Sequence, residues 1–352
     1  MKKKKQNRIV SDHGALRVLG NQIVNEENNA VCLAGMSYFW SNHSTPNWEG
    51  YGDHFYNEGT VSELAENWNC DIVRCAIGVD SKDGMQGGLC DEWEENFINL
   101  RSVIDQAIID DIYVIVDFHT HYAHEFPETA EDFFGQVIDE YPNCKNLIFE
   151  IYNEPKEIDW ESKVKPYAEQ IINYIRNEKN CDNLILVGTT TYCQDVDIAA
   201  DSPLGNEEER NIAYGLHFYA ATHQQVQMDK AMYAIDKGNI ALFATEWGTV
   251  NNLGQCSPDE FWTDKWMTFL RENMISHCNW SLTDKVEGCQ SANEIKNEDA
   301  PGASALVQGA SVEGDWDYDA DLTPSGMIVK PIVENWQTSL KELKEKIIAN
   351  KM

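Results

Sequence analysis

Two glutamates in this chain each close an apolar run. Glu154 sits at the end of "NLIFEIYNEP" (146–155) and Glu246 near the end of "IALFATEWG" (240–248). Acidic side chains are rarely buried unpaired, so an acid that ends a core element needs a partner or a chemical task. One such glutamate alone would be explained by a helix N-terminus or a buried ion pair. Two of them, 246 − 154 = 92 residues apart, suggest more. Carboxyl groups held about 5–5.5 Å apart, in environments that push their pKa values apart, divide the roles of acid and nucleophile in glycoside cleavage with retention.

Other polar groups collect at the ends of comparable runs. Arg74 lies in "DIVRCAI", His119 and His121 in "DFHTHYAH", Asn153 beside Glu154, His217 and Tyr219 in "IAYGLHFY", and Trp280 in "HCNWSL", followed by Asp284 and Lys285. Strand interiors are expected to be aliphatic, so this concentration at one end is not explained by folding alone.

The elements that must position these groups follow from the same runs. Short apolar stretches recur at 31–37, 71–77, 113–118, 147–153, 184–189, 212–219, 240–247 and 277–282. Continuous apolar character bounded by polar turns suits parallel strands covered on both faces. Amphipathic segments such as 97–111 and 164–178 lie between them. Strands alternating with helices predict an α/β fold, a (β/α)8 TIM barrel, with a doubly wound open sheet as the competitor. In a barrel the catalytic groups stand at the C-terminal strand ends. "LRVLGNQIVNEENNAV" reads as a short β-hairpin about Gly20-Asn21 that closes the barrel floor, and 333–350 as the last helix. Residues 1–14 are expected to form a mobile N-terminal extension, and 15–352 a single catalytic domain without an appended binding module.

"IYNEP", "ATEWG", "DFHTH", "HFY" and "NWSLTDK", in this order, together with "LRVLGNQIVN", "GMSYFWSN", "QDVDIA", "TEWGTVN" and "LTPSG", resemble glycoside hydrolase family 5 of clan A, most closely its bacterial-type endo-β-1,4-glucanases. The resemblance implies Glu154 as general acid/base and Glu246 as nucleophile. Arg74 and Tyr219 would keep Glu246 ionised and aimed, His217 would touch Glu154, His119 would line the subsite of the reacting sugar, and Asn153 would bind its 2-hydroxyl. It also implies substrate contacts from Trp40, His121, Tyr122, Tyr192, Trp280, Lys285 and Glu287, the last two on the next sugar toward the non-reducing end. Tyr192-Cys193 stands where relatives usually carry Trp-Ser, which implies a smaller stacking platform on the leaving-group side. Trp262 and Trp266, on a helix-like segment, are expected to pack.

Composition narrows the partners. With 59 acidic against 27 basic residues and a formal net charge of -32, the chain would repel nucleic acid and anionic membranes, and a neutral or cationic substrate fits better; the resemblance implies a β-glucan polysaccharide or cello-oligosaccharide as the partner. No cofactor is expected, and the chain is expected to be monomeric. "DWDYDADL" at 315–322 lacks the Gly and terminal Glu of an EF-hand and reads as a solvated loop. Ten cysteines without a CxxC pair favour disulfides and an extracellular setting over a zinc site. The matching frames "NCKNLIFE" and "NCDNLILV" suggest a bridge between Cys144 and Cys181, whereas Cys75 and Cys278 fall inside strands as thiols. Two rival functions remain: a hydrolase of mannan, xylan or mixed-linkage glucan on the same site, and a metal-dependent barrel amidohydrolase built on His119 and His121 with His124, His217, His277 and Asp284.

Overall fold

In the computed structural model, which describes residues 8–42, 53–289 and 300–351, eight parallel strands close into a barrel. Strands β1 (Arg17–Leu19) and β2 (Gln22–Val24) form an antiparallel hairpin. The barrel strands are β3 (Ala34–Tyr38), β4 (Ile72–Gly78), β5 (Tyr113–His119), β6 (Leu147–Glu150), β7 (Ile185–Val187), β8 (Ile212–Tyr219), β9 (Leu242–Gly248) and β10 (Ser276–Leu282). Each pairs with its sequence neighbour, and β10 returns to β3, so no edge is left open. All eight expected runs are strands, and the order of pairing excludes the open sheet.

The core lies in two places. One apolar layer packs the outer face of the barrel against the helices, with Trp266 stacked on Phe218 at 3.8 Å between ring centroids and Trp262 partly buried against the same layer. The other fills the barrel floor, where Val18 and Ile23 of the hairpin join Ile72, Ile115, Ile148, Leu186 and Phe243. Asn211 fixes the hairpin by accepting the Val18 amide at 2.9 Å. The hairpin thus plugs the end of the barrel opposite the site.

Three expectations need correction. Residues 8–14 are docked: Ile9–His13 is a short helix, Val10 is buried in the floor, and the Ser11 hydroxyl donates to Asp111 Oδ1 at 2.9 Å. Residues 1–7 of the extension lie outside the described residues. The last helix runs over Trp336–Lys351 and is preceded by a separate helix, Pro324–Glu334, the two divided at Asn335.

Cys144 and Cys181 are not bridged. They do precede the paired strands β6 and β7, but each thiol turns to the asparagine two residues on, Cys144 to Asn146 Oδ1 (3.6 Å) and Cys181 to Asn183 Oδ1 (3.2 Å). The Asn183 amide then joins the two loops by donating to the Cys144 and Leu147 carbonyls at 2.8 and 2.6 Å. The disulfide is Cys256–Cys289, which ties the loop after β9 to the loop after β10. In the aspartate-rich loop, the Asp317 carboxylate accepts the Asp319 and Ala320 amides and the Asp321 carboxylate accepts the Asp317 amide. These carboxylates shape a turn.

Candidate active site

Register on the barrel wall sets the site. Asp117 of β5 stands opposite Glu150 of β6, Ser37 of β3 opposite Arg74 of β4, and His217 of β8 opposite Glu246 of β9. Glu154 lies four residues beyond the end of β6, on a turn made possible by close backbone packing: a Cβ on Gly188 would fall 2.1 Å from the Tyr152 carbonyl oxygen. Gly248 plays the matching part for Glu246, because a Cβ there would fall 2.4 Å from the Tyr219 ring. With that space open, the Tyr219 hydroxyl donates to Glu246 Oε1 at 2.7 Å.

Arg74 is fully buried and joins the groups. Its guanidinium lies 2.9 Å from Asp117 Oδ2, donates to Glu150 Oε2 at 2.7 Å and Glu246 Oε2 at 3.2 Å, and reaches Asn153 Oδ1 at 2.6 Å. A buried cation of this kind is tolerated only when paired and hydrogen-bonded. His119 Nδ1 is 2.5 Å from the same Asp117 oxygen. Glu154 is held by two imidazoles, with His217 Nδ1 at 2.8 Å from Oε1 and His121 Nε2 at 3.3 Å from Oε2. His217 Nε2 meets Thr245 Oγ1 at 2.8 Å. Glu154, His217 and Glu246 each bring one atom to within 4.8 Å of the other two.

The electrostatics of the two glutamates diverge. Burial raises Glu154, but hydrogen bonds from His121 and His217 outweigh it and hold the carboxyl below the usual range. Burial and the Glu154 charge raise Glu246, and His217, Arg74 and the Tyr219 hydroxyl only partly offset them. The expected influence of Arg74 and Tyr219 is present in direction, yet the net shift is upward. His217 loses hydration on burial, but Glu246, Glu150 and Glu154 push it up to about 9. Asp117 is pushed well above its ordinary value by burial, despite Arg74. These shifts favour protonation of His217 over Glu154, its hydrogen-bond partner at 2.8 Å.

These groups open into a hollow of 270 Å³ at the mouth, lined also by Phe39, Trp40, Met85, Trp280, Lys285 and Glu287. Trp40 meets His119 edge-on at 4.0 Å, and Trp280 lies parallel to it at 5.4 Å. Lys285 Nζ donates to Glu287 Oε2 at 2.7 Å. Two larger hollows of 510 and 570 Å³ lie at the floor end, around Asn143 and Lys145, so size alone does not mark the site. Tyr122 and Tyr192 stand outside the mouth hollow, flanking His121 at 6.4 and 5.9 Å between rings. Thr191, Tyr192 and Cys193 are all left-handed, and the turn is pinned by the Tyr192 amide to the Pro155 carbonyl (2.8 Å) and the Cys193 thiol to the Asn153 carbonyl (3.0 Å).

Sequence reasoning missed Glu150, Asp117, Ser37 and Thr245. The signal was present for two of them: Asp117 in "YVIVDF" and Glu150 in "LIFE" are acids inside apolar runs. Of the histidines of the metal reading, His119, His121 and His217 come together at the mouth, whereas His124 and His277 do not. His124 Nδ1 faces the Tyr152 hydroxyl at 2.8 Å, and buried His277 accepts from Trp247 Nε1 at 3.0 Å on the far side of β10.

A parallel barrel with two facing glutamates at its mouth, one between imidazoles and the other between a guanidinium and a phenol, is the architecture of a barrel glycoside hydrolase. The chain matches the cellulase family, glycosyl hydrolase family 5, over residues 24–286, and it belongs to that family. It is 40% identical over 321 residues to endoglucanase Z of Dickeya dadantii, covering 91% of this chain and 66% of that protein. The chain spans about two thirds of the length of the curated relatives it matches first. Among solved structures, a Cytophaga hutchinsonii protein superposes with a TM-score of 0.81 at 36% identity, over 98% of this chain and 100% of that one. The catalytic domain of Thermobifida fusca endoglucanase Cel5A, solved with cellotetraose, superposes with a TM-score of 0.78 at 25% identity, over 93% and 100%.

Proposed function

We propose that this chain is a retaining endo-β-1,4-glucanase that cuts internal bonds of cellulose or related β-glucans by double displacement. The observation that carries the reading is the Glu154–Glu246 pair, whose oxygens approach within 4.8 Å, close to the spacing of about 5–5.5 Å expected for retention and too short to seat a water between them for inversion. The endoglucanase names of the relatives and the cellotetraose bound by the Thermobifida protein support a β-glucan substrate.

Glu154 protonates the glycosidic oxygen while Glu246 attacks the anomeric carbon, and Glu154 then takes a proton from the water that releases the sugar. His217 supplies the proton that Glu154 lacks at rest, across the 2.8 Å contact. Arg74 and the Tyr219 hydroxyl hold Glu246 in line for attack, and Arg74 fixes Asn153 for the 2-hydroxyl. Trp280 and Trp40 present apolar faces to sugar C–H surfaces, and Lys285 and Glu287 take hydroxyls of the next sugar. His121 assists Glu154 directly, and Tyr122 and Tyr192 border the leaving-group side. No described helix is long and apolar enough to cross a membrane, and the Cys256–Cys289 disulfide supports an extracellular protein.

The test is release of reducing sugar from carboxymethylcellulose, barley glucan, mannan and xylan by the parent protein and by Glu246→Gln. The parent should act on the two glucans and the variant on none of them. Action on mannan or xylan alone refutes the substrate assignment, and a fully active variant refutes the site.

A further inference from the structure

The wall of the cleft that faces the second sugar is made from two loops rather than from barrel strands. Leu253 and Gly254 come from the loop after β9, and Lys285 and Glu287 from the loop after β10. The first is a tight turn: Asn251 Oδ1 accepts the Leu253 and Gln255 amides, each at 3.0 Å. The second carries the Lys285–Glu287 ion pair. Nothing in the strand ladder sets the distance between them, because both lie beyond the last β9–β10 pairing.

Three contacts set it instead. Cys256 is disulfide-bonded to Cys289, and its amide donates to the Gly288 carbonyl at 3.2 Å, immediately beside Glu287. The Ala303 amide donates to the Gly254 carbonyl at 2.8 Å. Gly302 wedges between the two: at φ +62°, a Cβ there would fall 2.2 Å from the Gly254 oxygen and 2.7 Å from Glu287 Cβ. Both cysteines are buried, so the covalent tie sits under the wall and not in the sugar's path.

We infer that the Cys256–Cys289 disulfide is a positioning element for substrate: it locks Lys285 and Glu287 against the Leu253–Gly254 turn and so sets affinity for the sugar beyond the cleaved one, without acting on the bond that breaks. The inference rests on the endoglucanase reading above. Glu154 and Glu246 are placed by β6, β9 and their turns, so loosening this wall leaves their geometry unchanged. The cost falls on binding, through the ordering of Lys285 and Glu287 when sugar arrives.

The test is steady-state hydrolysis of cellopentaose by the parent and by the double variant Cys256→Ser/Cys289→Ser, each first shown by circular dichroism to be folded. The expected result is a KM raised about tenfold with kcat kept within about twofold. A disulfide that only stabilises the fold would lower the melting temperature and leave KM unchanged in the folded protein; that result overturns the inference, as does a fall in kcat that matches the rise in KM. Should the double variant not fold, the parent protein with its disulfide reduced under native conditions, two additional free thiols being counted, is judged on the same split. A parent protein that leaves cellopentaose uncut defeats the proposed function, an outcome separate from any comparison between variants.

Discussion

Arg74→Met removes the guanidinium that lies among Asp117, Glu150 and Glu246 while keeping an unbranched side chain in its place. The guanidinium is fully buried and lies 2.9, 2.7 and 3.2 Å from those three carboxyl groups. Removing one partner of a buried ion pair costs about 3–5 kcal/mol, because the remaining charge has no solvent. At about 1.4 °C per kcal/mol for a chain of 352 residues, the melting temperature should fall by about 4–7 °C near neutral pH. The deficit should also depend on pH in a definite sense. Burial raises Glu150, and Arg74 and His217 reverse that in the intact protein. Without Arg74, the folded-state pKa of Glu150 rises above its unfolded value, and those of Asp117 and Glu246, already above theirs, rise further. Stability is then lost as pH rises from the unfolded pKa through the folded one, and the deficit shrinks as pH falls toward about 4.5. Thermal unfolding by circular dichroism at the two pH values reads both effects. A drop under about 2 °C, or a deficit equal at both, refutes the view that Arg74 neutralises buried charge.

For His217→Asn, the alkaline limb of kcat/KM, which in the parent protein should fall as pH rises through about 9, should move to lower pH, because Glu154 must then hold its proton alone; a pH–rate profile checks it. Tyr219→Phe removes a hydrogen bond to a charged oxygen, a loss of about 1.5–3 kcal/mol, and should lower kcat/KM about 10- to 100-fold. It should also move the acid limb to higher pH, since the hydroxyl lowers the Glu246 pKa and the carboxylate must be ionised to attack. Thiol titration in denaturant without reductant should count eight free cysteines, and ten after reduction; a count of six would restore a Cys144–Cys181 bridge beside the observed one.

The fold was readable because barrel strands buried on both faces read as short, largely apolar runs between polar turns, and all eight stood out that way. The facing glutamates were readable because "IYNEP" and "ATEWG" put acids where a strand leaves the core. The support beneath the pair was harder. Asp117 and Glu150 are acids inside strands, and only the register of β4, β5 and β6 shows that Arg74 reaches both. The disulfide was misplaced for a similar reason. Matching frames do bring Cys144 and Cys181 to neighbouring strands, but asparagine side chains take the place of the bond. Cys256 and Cys289 lie in irregular loops whose approach no periodicity records. The upward shift of His217 depends on Glu246 of β9 together with Glu150 and Glu154 of β6 and its following turn, a sum that no local stretch contains.

The central claim is that Glu246 attacks the anomeric carbon from one face and Glu154 then delivers water to the opposite face, the one the leaving group departed from. Proton NMR of the anomeric signals, recorded as cellopentaose is first cut and before mutarotation, tests it most directly. The β-anomer should appear first, with α following only as the free sugar equilibrates. First appearance of the α-anomer would mean a single displacement and would contradict the account.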